Sequence, residues 1–295
     1  MALTRQEQDL LRERIFAELV KRADDAGGFL TFDELMNFHV DGQRIPLVGQ
    51  KGINNPQIFD TTLSVVSAAD GPYNDHLGPD GLIRYAFEAG DPRAGSNKKL
   101  LLAMETTTPL IFFERPMPNV YVPLVGAYVV AADFDNLNVT VAIDATMRAQ
   151  YEMGIGEIEK RYITTEIQRR VHQPLFRAQI IKAYERRCAI CRLNHAELLD
   201  AAHIIPDADI GGTASIPNGM ALCKIHHAAY DRNFLGIDPD YRVHIDAELL
   251  TEIDGPMLKH GLIEMHGTTI TVPAPKAQQP DRDKLSARFE LFLAS

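Results

Sequence analysis

The stretch CAICRLNHAELLDAAHIIPDADIGGTASIPNGMALCKIHH, residues 188–227, contains all three cysteines of the chain. Two residues separate Cys188 from Cys191, and Cys223 and His226 repeat that spacing further along. Two pairs of thiolate or imidazole donors at this spacing are typical of a closed, tetrahedral zinc site. The pattern therefore predicts a structural Zn²⁺ held by these four residues. The alternative is that the cysteines are ordinary buried apolar residues.

Three polar residues lie between or beside these ligands in the order His203, Asn218, His227. The segments DAAHIIP (200–206), PNGMALC (217–223) and HHAAYD (226–231) resemble the two strands and the helix of the HNH nucleases, which carry a ββα-metal finger. The resemblance covers roughly residues 172–245. It implies an endonuclease that hydrolyses phosphodiester bonds in DNA.

The resemblance also implies catalytic roles for these three residues. His203 would be the general base, because imidazole titrates near neutral pH. Asn218 would hold the loop between the strands and so orient His203, and His227 would bind a catalytic Mg²⁺ or Mn²⁺. The alternatives are a core histidine at 203, an Asn-Gly turn at 218, and a surface or outer histidine at 227.

The adjacent histidines and two nearby aspartates are the candidates for dividing ligands between the zinc site and the catalytic metal site. Neighbours on a helix differ by about 100° in direction, so His226 can face the zinc while His227 faces the substrate. Many HNH members have an acidic residue before the base, where this chain has Ala202. Asp231, four residues after His227, shares its helix face and is one candidate to complete the catalytic metal shell. Asp200 is the other, and would reach the metal only through water or a bulge.

Bulk composition is that of a water-soluble globular chain: 295 residues, 45% apolar and 24% charged. No apolar run is long enough to span a membrane, and the N-terminus lacks a signal-peptide core. The cysteine usage favours a reducing, bacterial cytoplasm over a disulfide framework. The net charge is −10, but residues 160–187 form a basic segment. Within this segment, Arg169, Arg170 and Arg177 are predicted to contact the DNA backbone. The alternative is that the segment is a solvated helix face.

Periodicity and turn residues predict an α+β chain of two domains. Helices are expected over 4–24 and 31–36, followed by a β-rich barrel or strongly curved sheet over 45–143 with a central helix at 98–104. We place domain 1 at residues 1–143. Domain 2, residues 144–295, would hold a helical connector broken at Pro174, the nuclease motif, a surface spacer (273–280) and a helix from Asp281. The role of 245–295 is left open between dimer contacts and packing.

Residues 52–130 are similar to the SRA/PUA-like barrels that are fused to HNH modules in modification-dependent restriction enzymes. The similar segments are PYND (72–75), GLIRY (81–85), 97–104 and PLIFF (109–113). The similarity implies a pocket for a modified base, for example a modified cytosine, flipped out of the duplex. Tyr73 and Tyr85 would stack on it and Asp75 would accept a hydrogen bond from its exocyclic amine; the alternative is that both tyrosines are core residues.

These features together predict a modification-dependent endonuclease that acts on double-stranded DNA, with a homodimer as the simplest way to cut both strands. A nonspecific HNH DNase and a modified-DNA reader with an impaired nuclease are the alternatives.

Overall fold

The computed structural model describes residues 3–68, 76–78, 80–154, 172–206, 209, 211–253 and 255–295. The chain divides into two compact units, Met1–Val171 and His172–Ser295. None of the described helices combines the length and the apolar character that a membrane span requires.

The first unit begins with two capped helices, α1 (Arg5–Asp25) and α2 (Phe32–Met36). Each has a capping box: Thr4 pairs with Glu7, and Thr31 pairs with Glu34. Since each box satisfies two backbone N–H groups that the first turn leaves open, it fixes where the helix starts. Both helices agree with the predicted bounds to within one residue.

A curled seven-stranded sheet forms the body of the first unit, after a separate hairpin that joins β1 (His39–Val40) to β2 (Gln43–Arg44). The strands of the sheet are β3 (Ile53–Asn54), β4 (Ser64–Ala68), β5 (His76–Leu77), β6 (Ile83–Ala86), β7 (Leu110–Met117), β8 (Val120–Asp133) and β9 (Asn138–Ala142). Their order in the sheet is β3-β4-β7-β8-β9-β6-β5. Strands β4 and β7 are parallel, and the other neighbours are antiparallel.

The sheet curls because its longest strand, β8, carries bulges. The register with β7 shifts where Gly126 is inserted, and the register with β9 shifts between Val129 and Ala131. Gly126 has a φ of +79°, a conformation that glycine adopts at little cost. Each bulge bends the strand, so the two halves of the sheet form a half-barrel. Helix α3 (Gly95–Glu105) packs against β8 and β3.

Helix α4 (Ala145–Met153) follows β9 and packs against β8 and β9 of the same unit. It ends at Gly154, which has a left-handed conformation. The expected break at Pro174 falls at the beginning of the next described helix, α5, which comprises residues 172–183. The residues between these helices lie outside the described part.

The second unit contains a short two-stranded sheet and several helices. After α5 come β10 (Leu199–His203), β11 (Gly219–Cys223), α6 (Lys224–Asp231), β12 (Leu235–Ile237), β13 (Val243–Ile245), α7 (Ala247–Thr251), α8 (Pro256–Gly261) and α9 (Arg282–Leu293). Helix α9 packs on β12, where Gly236 lacks the Cβ that would lie 2.5 Å from the Phe292 ring. The predicted α+β class, the β-rich centre of the chain and the terminal helix are confirmed.

Candidate active site and metal centre

Strands β10 and β11 and helix α6 form the framework of the site. The strands are antiparallel, with His203 opposite Gly219 and Leu199 opposite Cys223. Helix α6 begins directly after β11, and Cys223 is its N-cap residue. This arrangement places the end of β10 and one face of α6 beside each other.

Helix α5 approaches β11 closely at Gly219. A Cβ at this position would lie 2.6 Å from both Phe176 Cζ and Ile180 Cδ1, well inside the contact distance of about 3.5 to 4.0 Å. The backbone of Gly219 is extended, at φ −146° and ψ 157°, so the close approach and not the conformation requires glycine. Gly219, which could have formed an Asn-Gly turn, is therefore the position where α5 packs directly against the backbone of β11.

The three cysteines and His226 converge on one point. Their ligand atoms all lie within 4.8 Å of one another. Sγ of Cys191 is 4.0 Å from Sγ of Cys223, and Nδ1 of His226 is 3.5 Å from Sγ of Cys188 and 3.2 Å from Sγ of Cys223. With metal–sulfur bonds of about 2.3 Å, tetrahedral corners lie about 3.8 Å apart. The cluster therefore fits a tetrahedral metal ion.

The second ring nitrogen of His226 fixes the ring for this purpose. Nε2 lies 2.8 Å from the carbonyl oxygen of Gly261, and since a carbonyl can only accept, Nε2 carries the proton. Nδ1 is then free to donate its lone pair to a metal. A backbone partner of this kind orients a metal-binding histidine.

The pKa shifts within the cluster also favour a bound metal ion. Hydrogen bonds from Cys191 and Cys223 lower the pKa of Cys188, while the contact with Cys188 raises the pKa of Cys191. Burial lowers the pKa of His226, but its hydrogen bonds to Cys188 and Cys223 outweigh this effect and raise the pKa to about 10. The pocket thus favours negative sulfur with a cation beside it, which a bound metal ion supplies.

His203 lies at the end of β10 and is half-buried. Its ring stacks on Phe176, with 4.1 Å between ring centroids and 14° between ring planes. The same Phe176 ring is the one that rests over Gly219. The orientation of the His203 imidazole is therefore coupled to the seating of α5 on β11.

Asn218 is fully buried and holds the loop between β10 and β11. Its Nδ2 donates to the carbonyls of Ile205 and Thr213, each at 2.9 Å, and its Oδ1 accepts from the N–H of Ile205 at 3.0 Å. All three partners are backbone groups of the loop that leaves His203. This side chain therefore fixes the backbone two residues after the histidine.

His227 points away from the cysteine cluster and lies between two carboxylates. Nδ1 is 3.1 Å from Oδ2 of Asp200, and Nε2 is 3.4 Å from Oδ2 of Asp231. An ionised carboxylate only accepts, so Nδ1 donates to Asp200. Nε2 and Oδ2 of Asp231 therefore face each other on the other side of the ring, where both atoms are available as ligands of one cation. Adjacent ligands of an octahedral Mg²⁺ with bonds of about 2.1 Å lie about 3.0 Å apart, a few tenths of an ångström less than the separation of this pair.

Asp200 is surrounded by positive groups. Lys224 Nζ lies 2.5 Å from its Oδ1, and a guanidinium nitrogen of Arg177 lies 3.6 Å away. Partial burial raises the pKa of Asp200, but the hydrogen bonds from Lys224 and His227 prevail and lower it. Both oxygens of Asp200 thus contact neighbouring side chains, whereas Asp231 is the more exposed of the two acids.

His203, His227 and Asp231 line an open cleft of about 780 Å³. One side is the end of β10 with His203, the second is α6 with His227 and Asp231, and the third is α9 with Arg288 and Leu291. Asp231 is exposed, whereas His227 is partly covered. His203, His227 and Asp231 thus share one opening, which is the arrangement that a general base and metal ligands acting on one phosphate group require.

Of the remaining predicted site residues, the structure describes only some. Tyr73, Asp75, Arg169 and Arg170 lie outside the described residues. Tyr85 is 4% exposed, and its ring meets Phe112 edge to face at 6.0 Å. This residue lies in the sheet's core.

Arg177 is also held within its own unit. Its guanidinium donates to the backbone carbonyls of Leu199 and Ala196 and faces Asp200. Its observed contacts are thus those of a group that supports the start of β10.

Three residues that shape the site, Phe176, Gly219 and Arg288, were not predicted from the sequence as site residues. The order Asn218-Gly219 was visible, but only the packing of α5 shows why the glycine is needed. Arg288 lies 57 residues after Asp231 on a helix whose sequence carries no motif.

Comparison with known proteins identifies the C-terminal motif. Residues 188–238 match the model of the HNH endonuclease family, whereas no curated protein matches the chain. Among solved structures, the chain is similar to "Modification dependent TagI restriction endonuclease" at 15% identity and a TM-score of 0.30, covering 89% of this chain and 90% of that one. It is also similar to "Structure of the Type IV phosphorothioation-dependent restriction endonuclease ScoMcrA" at 14% identity and a TM-score of 0.24, covering 61% of this chain and 47% of the other. Residues 188–238, with their Cys₃His cluster and the adjoining cleft, form an HNH endonuclease domain, and the chain is a DNA-hydrolysing nuclease.

Proposed function

We propose that this protein is a modification-dependent DNA endonuclease, in which the N-terminal unit recognises a modified base and the HNH domain cuts nearby. The observation that carries the nuclease part is the cleft in which His203, His227 and Asp231 open onto one space. Recognition of the DNA substrate would then depend on residues outside that cleft.

In this proposal His203 is the general base. It takes a proton from a water molecule, whose oxygen attacks the phosphorus while the bond to the leaving sugar oxygen breaks. The stack on Phe176 limits rotation of the imidazole, and Asn218 fixes the backbone that follows it. Held in this way, the ring loses little orientational freedom when the substrate binds.

His227 and Asp231 would hold the catalytic divalent cation, Mg²⁺ or Mn²⁺. Nε2 of His227 and Oδ2 of Asp231 are 3.4 Å apart and lie on the same face of α6. When bound, the cation stabilises the charge that develops on the phosphate oxygens. Asp200 would act through His227 and not as a ligand, because its two oxygens already contact Lys224 and His227.

The Cys₃His cluster would hold a structural Zn²⁺. Its ligands are three sulfurs and a nitrogen, a donor set that zinc prefers, with no position left for water. The ion would join the loop at Cys188 to the junction of β11 and α6. Three thiols used in this way suit a reducing compartment such as the bacterial cytoplasm.

The N-terminal unit would be an SRA/PUA-like reader, comprising residues 1–143, with α4 as the start of the connector to domain 2 (144–295). Its support is the curled sheet with α3 packed against it and the sequence similarity of residues 52–130. Such a reader flips the base into a pocket. Tyr73 and Asp75 remain its proposed contacts, whereas Tyr85 would need to leave the core to stack on a base.

Two copies acting as a homodimer would cut both strands, with Arg169 and Arg170 along the phosphates.

The proposal is tested by cleavage of one plasmid prepared in matched forms: unmodified, with methylated or hydroxymethylated cytosine, and with methylated adenine. The purified protein is supplied with Mg²⁺ or Mn²⁺. Cutting confined to one modified form is the expected result and names the base. Equal cutting of all forms would contradict modification dependence and leave a nonspecific HNH DNase.

A second candidate function, a modified-DNA reader with an impaired nuclease, is favoured by Ala202. The residue is fully buried and occupies the position before the base where many HNH members have an acid. This candidate predicts specific binding without cutting in Mg²⁺, Mn²⁺ or Ni²⁺. The plasmid series therefore separates the candidates, provided that binding is measured on the same substrates.

A further inference from the structure

Helix α9 forms one side of the nuclease cleft although no motif marks it. Its residues Arg288 and Leu291 line the opening that also holds His203, His227 and Asp231. The helix is firmly seated, since Phe289 and Phe292 pack against the bare backbone of Gly236 in β12.

Arg288 connects α9 to the end of the helix that carries the metal ligands. One terminal nitrogen donates to Oδ1 of Asn233 at 2.6 Å, and the other donates to the carbonyl of Tyr230 at 2.5 Å. The guanidinium also lies over the Tyr230 ring, 4.7 Å from its centroid. The side chain is buried, with 9% of the residue exposed, so these contacts are shielded from water.

The contacts of Arg288 fall at the point where α6 ends. The N–H groups of Arg232 and Asn233 also bond to the Tyr230 carbonyl, and Phe234 N–H bonds to the Ala229 carbonyl. Asn233 has a φ of +58°, the left-handed conformation that ends a helix. Arg288 therefore stabilises the C-terminal turn of α6, and Asp231 directly follows one of its two partners, Tyr230, and precedes the other, Asn233, by two residues.

We propose that Arg288 is a positioning residue of the nuclease site: it holds the end of α6 so that Asp231 stays beside Nε2 of His227. This inference rests on the proposed function of the pair as the catalytic cation site. The 3.4 Å separation of the two ligand atoms suits one ion, and a change in it weakens binding of that ion. Loss of an outer residue that orients a metal ligand typically lowers metal affinity about 10- to 100-fold.

The test compares the wild-type protein with Arg288→Met, which keeps the aliphatic stem and removes both hydrogen bonds. Mn²⁺ binding is measured from the signal of free Mn²⁺ in electron paramagnetic resonance, with Asp231→Ala to identify the site. Arg288→Met should weaken that binding about tenfold and raise the Mn²⁺ concentration for half-maximal cleavage by the same factor. The rate at saturating Mn²⁺ should change less, because ligand position and not the base is disturbed.

Arg282→Met is the matched control on the same helix, since Arg282 pairs with Asp240 and does not line the cleft. A second variant, Asn233→Gly, removes one partner of Arg288 while glycine retains the left-handed backbone. It should shift Mn²⁺ affinity in the same direction as Arg288→Met, by a smaller factor. Because it leaves the arginine in place, it tests the inference even if Arg288→Met fails to fold.

The inference is overturned if Asn233→Gly, or a folded Arg288→Met, binds Mn²⁺ within twofold of the wild type. It is also overturned if Arg282→Met weakens binding as much as Arg288→Met. Failure of the proposed function looks different: the wild type then cuts no DNA, or loses no Mn²⁺ site when Asp231 is replaced.

Discussion

A single methyl group at Gly219 should disturb both the stability and the chemistry of the HNH domain. Gly219→Ala places a Cβ 2.6 Å from Phe176 Cζ and from Ile180 Cδ1, so the two side chains must withdraw by about 1 Å. Overpacking of this kind costs about 1 to 3 kcal/mol. For a unit of this size that corresponds to a fall in Tm of roughly 4 to 12 °C.

The activity should fall by more than the stability change explains. Phe176 stacks on His203 at 4.1 Å, so withdrawing its ring removes the support of the base. A misplacement of about 1 Å in a catalytic group can cost on the order of 100-fold in rate. We expect a loss of at least about tenfold in the cleavage rate of protein that is still folded at the assay temperature.

Calorimetry follows the Tm of the C-terminal unit, and cleavage of the preferred plasmid gives the rate. Gly255→Ala is the control, because it adds the same methyl group where nothing lies within 4 Å. It should melt within about 2 °C of the wild type. Ile180→Val removes one of the two clashing carbons, so the double variant should be less destabilised than the two single variants together. If Gly219→Ala melts and cleaves like the wild type, the coupling of α5, Phe176 and His203 is wrong.

Three further predictions concern the cluster, the loop and the orienting acid. Cys191→Ser should lower bound zinc from one ion per chain towards none by elemental analysis and melt the C-terminal unit at least about 10 °C earlier; full zinc retention would exclude a four-ligand site. Asn218→Ala removes three hydrogen bonds to partly buried backbone groups and should cost about 2 to 4 kcal/mol in denaturant unfolding; a cost under about 0.5 kcal/mol would contradict the loop-holding role. Asp200→Asn should slow cleavage about 10- to 100-fold by the same factor from pH 6 to pH 9, because the lowered pKa keeps the carboxylate ionised throughout and its contribution is lost only as the pH falls below that pKa. A pH–rate profile in which the ratio of the two rates changes across this window would count against this assignment.

Local signals in the sequence accounted for the elements whose boundaries depend on neighbouring residues. The predicted helices over 4–24 and 31–36 agree with the structure to within one residue, and each begins at a local capping box, at Thr4 and at Thr31. The division of the His226-His227 pair between cluster and cleft also follows from helix geometry alone, and the structure places one ring against the cysteines and the other in the opening.

Long-range packing accounted for what the sequence did not reveal. The sequence left both Asp200 and Asp231 as candidates, because only the pairing of β10 with β11 and the position of Lys224 show which nitrogen of His227 each acid meets. Arg288 joins residues 55 and 58 positions away, which no local pattern encodes. The sequence allowed Tyr85 to be either a stacking residue or a core residue, because its burial depends on how β6 lies within the curled sheet.

The central claim is that the cleft of the HNH domain hydrolyses DNA with His203 as the base, and a matched pair of proteins tests it most directly. Wild type and His203→Ala are compared on the preferred DNA with Mn²⁺, with cleavage and DNA binding measured on the same samples and zinc content checked in both. The variant should retain zinc and bind DNA with unchanged affinity while cleavage is abolished. Cleavage by a zinc-loaded His203→Ala protein at the wild-type rate would contradict the role of His203 as the base.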